Sequence, residues 1–97
     1  MTDYSMLPHH MQDDARRYID RGIPPGHFMT AILANDFLGA VGRADIENLH
    51  SLPQWAQWIY NEIPNGARGS YECVELWCKH GGLAGLVSDH GKPEIVS

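Results

Sequence analysis

Six histidines and two cysteines are the first residues in this 97-residue chain that could do chemistry. Cys73, Cys78 and His80 make a C-x4-C-x-H array, which matches no ordinary zinc spacing. On a helix the two thiols point about 140° apart, so they can neither pair with each other nor converge on a metal. His9 and His10 are adjacent, and adjacent helical residues face different directions. The sequence therefore predicts no metal and two reduced cysteines that pack as small apolar side chains.

A nucleophilic enzyme needs a Ser or Cys beside a His with an orienting acid. No G-x-S-x-G elbow occurs, and each serine has a plainer role in a cap or turn. The paired carboxylates Asp13 and Asp14 fall on a solvated helix face, whereas acid–base work needs a cleft that shifts their pKa. No catalytic residue and no cofactor is expected.

Two recognition surfaces are plausible on chemistry. At Pro24-Pro25-Gly26-His27 a stiff corner delivers a helix N-terminus, whose free N–H groups suit an anion, with His27 beside it. The plain alternative is a sharp turn between packed helices. The second surface is a polar stripe of Asn35, Asp36, Gly39, Gly42 and Arg43, close to Asp45, Glu47 and Asn48. Its glycines would admit another backbone or a ligand, and Arg43 would grip an anion or a partner. Alternatively Arg43 and Glu47 pair at i, i+4, and Asp45 or Asn48 caps the next turn. Trp58 and Tyr60 are interface anchors if exposed and core edge if folded in.

These residues must be positioned by helices. From Pro8, Met11, Ala15, Tyr18 and Ile19 share one face, while Asp13 with Arg17 and Arg16 with Asp20 can pair outside. Gly22 ends that helix. Residues 27–42 then read as one helix that is apolar nearly all round, which marks the buried centre of a domain. Ser51-Leu52-Pro53-Gln54 reads as a capping box opening a third helix, with Leu52, Trp55, Ala56, Ile59 and Ile63 inward. Ser70 caps a fourth, with Cys73, Val74 and Trp77 inward and Gly81-Gly82 at its end. Ala31-Ile32-Leu33 could be a strand, but no second β-branched run exists to pair with it. The expectation is an all-α fold, a compact bundle of about four helices around a central apolar helix at 27–42. Residues 1–87 form the single domain and 88–97 a flexible tail.

Composition narrows the partners. Net charge is −5 with seven scattered basic residues, which argues against a nucleic-acid backbone surface. No apolar stretch approaches the roughly 20 residues of a membrane span, and the first residues show no signal peptide.

Residues 22–36, G-I-P-P-G-H-F-M-T-A-I-L-A-N-D, and 42–48, G-R-A-D-I-E-N, carry a resemblance. So do Tyr60-Asn61-Glu62-Ile63-Pro64 and the G-S-Y-E-C-V-E-L-W segment at 69–77. Over residues 7–80 the chain resembles a group of small, uncharacterised bacteriophage and prophage proteins with a G-I-x-P-G-x-F-L-T-A-V-L-x-N-(D/N) stretch. The resemblance implies an accessory phage protein working in the cytoplasm of a bacterial host; it carries over no site residue. For a chain of 10.9 kDa without a visible active site, the expectation is stoichiometric inhibition of a host defence protein through a protein–protein interface. The alternatives are a sponge for a small anionic cyclic nucleotide signal at an oligomer interface, near His27 and Arg43, or a small helical transcription regulator. The last conflicts with the acidic balance and the missing basic recognition helix. Generous Trp and Tyr content makes a homo-oligomer plausible.

Overall fold

Pro8 precedes the first helix, α1 (His9–Arg21), which buries Ala15, Tyr18 and Ile19 as its periodicity predicts. The computed structural model describes residues 2–91. Gly22 closes α1 in the left-handed region (φ +69°). Its N–H donates to Tyr18 and the next N–H reaches back to Arg17, the double bond pattern that satisfies a helix's last carbonyls. The surface ion pairs differ from expectation. Arg16 pairs with Asp13 and Arg17 with Asp14, both at i, i+3. Helical side chains lean toward the N-terminus, and Arg16 also lies 4.7 Å over the Tyr4 ring.

The segment expected as one helix is two. α2 (His27–Leu33) and α3 (Phe37–Arg43) are separated by a turn at Ala34–Asp36. Asn35 takes φ +65° there, a conformation that Asn tolerates better than most residues. Asp36 then caps α3, one carboxylate oxygen accepting from the Gly39 N–H at 3.0 Å and the other from the Tyr71 hydroxyl at 2.6 Å. Only α2 is central: Phe28, Met29, Ala31 and Leu33 are buried, whereas α3 buries Ala40 alone. Phe37 is 65% exposed and Leu38 80%. The all-helical bundle holds, but its buried centre is half as long as the apolar run suggests.

α4 (Ile46–His50) opens on Asp45, which accepts from the Asn48 N–H at 2.8 Å. α5 (Leu52–Asn61) follows almost directly. The expected capping box is not formed: Ser51 gives no side-chain cap. Its backbone (φ −107°, ψ 14°) still carries the turn leaving α4, with its N–H donating to Asn48. α5 buries Trp55 and Trp58, and Ala56 faces out. A short 3-10 turn (Asn65–Ala67) leads to α6 (Tyr71–Lys79), capped by Ser70 through the Cys73 N–H and burying Val74 and Trp77 as predicted. α7 (Gly82–Gly91) carries helix past the expected boundary at 87; the remainder of the predicted tail, 92–97, lies outside the described residues.

Aromatic packing holds these short elements together. Trp55 meets Trp58 edge-on at 5.8 Å and Phe28 edge-on at 5.3 Å; Tyr4 lies 5.8 Å from Trp58. Such edge contacts contribute beyond area burial. Three buried polar tips find partners, while the Tyr4 hydroxyl and the Trp58 indole N–H have none among the described residues. The Tyr18 hydroxyl donates to the Ala67 carbonyl, the Trp77 indole to the Tyr18 carbonyl, and the Trp55 indole to the Asn48 amide. At the junction of α1 and α7, Gly22 and Gly82 touch backbone to backbone. A Cβ on Gly82 would sit 2.6 Å from the Gly22 nitrogen and 2.7 Å from the Ile19 oxygen.

Among the described residues there is no strand, and no helix is long and apolar enough to cross a membrane.

Candidate functional site

Two surfaces gather residues that could recognise another molecule. The first is the corner between α3 and α4. Arg43 ends α3 exposed, one guanidinium nitrogen donating to the Gly39 carbonyl at 3.3 Å. Ala44 is extended (ψ 137°), so α4 starts as a separate helix and Arg43 forms no ion pair with Glu47. Glu47 and Asp45 turn instead to His10 on α1, whose ring nitrogens lie 3.3 and 3.0 Å from their oxygens. The Asn48 N–H, then His10, hold the Asp45 carboxyl below the usual carboxylate range. Large apolar side chains are exposed on both helices of this corner: Leu38 on α3, with Ile46 (70% exposed) and Leu49 on α4.

The second surface is a groove of about 290 Å³. One wall is the α2–α3 junction, with Ile32, Asn35, Asp36 and Phe37; the other is α5, with Leu52, Ala56, Ile59 and Tyr60. Asp36 contributes a fixed negative charge. The Tyr71 hydroxyl, then the Gly39 N–H, push its carboxyl pKa down, and the same bond pushes the Tyr71 phenol up. Arg68 also lines the groove, its guanidinium 5.9 Å from the Tyr60 ring centre and bonded to Asn65 at 3.0 Å. Arg68 forms no ion pair among the described residues, and its buried Nε has no hydrogen-bond partner. Tyr60 is 75% exposed.

The structure thus brings Asn35 and Asp36 to the groove and Arg43 and Asp45 to the corner. Two expected site residues are structural. Trp58 is wholly buried between Tyr4 and Trp55, and so cannot anchor a partner. Asn48 is 2% exposed and its amide oxygen accepts from Trp55 at 3.1 Å, so it fixes α4 to the core. His27 is exposed at the start of α2, but a seven-residue helix presents only a weak dipole end. No part of this chain packs on the stripe glycines from another element: a Cβ on Gly42 would meet open space, and one on Gly39 would meet first the Asp36 carboxylate. Gly39 makes room for the α3 cap, a role legible in the D-x-x-G spacing of residues 36–39. Arg68 and Phe37 are the groove residues that sequence reasoning did not single out.

Both surfaces have the composition of a recognition surface. Their walls are mostly apolar, their charges are few and fixed, and exposed aromatics and arginines are the side-chain types that anchor interfaces. Cys73 and Cys78 are free and half-buried, burial pushing the Cys78 thiol pKa up. No group of three or more His, Cys, Asp or Glu converges on a metal position among the described residues. No protein-family model matches the chain, and no curated protein or solved structure is significantly similar to it.

Proposed function

We propose that the chain is a phage accessory protein acting in the bacterial cytoplasm by stoichiometric binding, without catalysis. Its target is a host defence protein, whose working surface it covers through a protein–protein interface. The observation that carries this reading is the exposure of Leu38 on α3 and of Ile46 and Leu49 on α4, the two helices whose junction bears Arg43 and Asp45. Exposed large apolar side chains on elements that also bear charges are the composition of an interaction surface. The resemblance to small phage proteins points the interface at a host. A tagged chain expressed in a defended host during infection should retain one host protein at near-equal molar ratio. Leu38→Asp and Ile46→Asp, both at exposed positions, should release it and restore defence. A capture profile identical for wild type and both variants rejects the reading.

A second reading, a sponge for a small anionic cyclic nucleotide, is favoured by Arg68: a guanidinium without a carboxylate beside an exposed tyrosine suits a phosphate next to a base. Calorimetry against cyclic di- and trinucleotides tests it, and no heat from folded protein across that panel removes it.

A further inference from the structure

The groove and the side chain that fits it lie on one surface of the same chain. Phe37 forms part of one wall yet is 65% exposed, and Tyr60, from the opposite wall, is 75% exposed. Neither ring packs on another ring within the chain among the described residues. Charge divides in the same way. Asp36 sits next to Phe37 on the junction wall, and Arg68 lies beside Tyr60 on the other side.

We infer that the groove seats a second copy of this chain, the two related by a twofold axis across it, with Phe37 of each laid on the α5 wall of the other. A twofold operation exchanges the two walls. It brings each Phe37 onto the Tyr60, Ile59 and Ala56 surface of the partner, an aromatic anchor in an apolar slot. It also brings each Asp36 to the partner's Arg68, supplying the carboxylate that this arginine lacks within its own chain. One wall offers a knob and an acid while the other offers a slot and a base, and a self-complementary pairing uses all four at once. The inference goes beyond the host-directed reading and does not depend on it, since none of Leu38, Arg43, Asp45, Ile46 and Leu49 lines the groove.

The test is the mass of the full chain in solution by light scattering at about 100 µM, a concentration that populates pairs of micromolar affinity. The wild type should show twice the 10.9 kDa chain mass. Phe37→Asp and Tyr60→Lys should each be folded by circular dichroism, their positions being exposed, and each should weaken pairing about tenfold or more, the loss typical of an anchor residue. An equimolar mixture of the two variants should recover the pair, because one interface half then joins Asp to Lys and the other half is native. A monomeric wild type, variants that pair as well as the wild type, or a mixture that stays monomeric each overturns the inference. So does dimerisation that both variants leave intact, which would place the interface on another face.

Discussion

Truncating Asn48 to alanine should reveal how much of this small core depends on one buried polar pair. The Asn48 amide oxygen accepts from the Trp55 indole N–H at 3.1 Å, and the two residues are 2% and 0% exposed. Asn48→Ala leaves that N–H in the interior without an acceptor, at a cost of about 1–3 kcal/mol. A chain of 97 residues unfolds with an entropy of about 0.2 kcal/mol per kelvin. The melting temperature should therefore fall by roughly 5–15 °C. Thermal unfolding followed by far-UV circular dichroism measures the shift. A companion cycle with Trp55→Phe isolates the bond from the lost volume. In the Trp55→Phe background no N–H is stranded, so Asn48→Ala should cost about 1 kcal/mol less there than in the wild type. A single variant melting within about 2 °C of wild type, or an equal cost in both backgrounds, would refute the assignment of Asn48 to the core rather than to recognition.

Three further outcomes follow from the geometry. Gly82→Ala places a Cβ 2.6 Å from the Gly22 nitrogen at a residue with φ +66°, so denaturant unfolding should show a loss of about 2 kcal/mol or more; an unchanged midpoint would mean that α1 and α7 do not touch there. The carboxyls of Asp36 and Asp45 are held below their ordinary range in the folded chain. Near their unfolded pKa of about 4 the unfolded chain binds more protons, so their contribution is present above that pH and is lost as pH falls through the folded values. Melting temperature should be level from neutral pH to about 5 and decline below about 4, with a shallower decline in Asp36→Asn/Asp45→Asn; parallel curves would contradict this. Finally, burial pushes the Tyr4 phenol up to about 12 and the Tyr18 phenol higher still. In an alkaline absorbance titration those two should stay un-ionised until the protein unfolds, whereas ionisation of all four tyrosines together near pH 10 would place them in solvent.

Periodicity and capping chemistry in the sequence identify the elements whose stability is local. α1, its Gly22 stop, the Ser70 cap and the inward Trp77 are all of that kind. The break at Ala34–Asp36 falls on two polar residues, but Met29, Leu33, Phe37, Ala40 and Val41 on either side keep a helical period across it. What interrupts the helix is partly Asp36 capping its own next turn and partly Tyr71, 35 residues away, donating to the same carboxylate. The expected Arg43–Glu47 pair failed for a related reason: one extended residue, Ala44, separates their helices, and His10 of α1 takes the acid. Helical angle alone sets Trp58 between the two faces of α5; the neighbours Tyr4 and Trp55 draw it inside. The groove could not be read from local pattern at all, since residues 32–37, 52–60 and 68 meet only after folding.

The glycine contact between α1 and α7 bears on the order in which the fold is assembled. The indole that bonds the Tyr18 carbonyl comes from residue 77, and the backbone that packs on Gly22 comes from residue 82. Loops this long close slowly relative to neighbouring turns. The seam between α1 and α7 is therefore a late event, formed after the turns and caps of the individual helices.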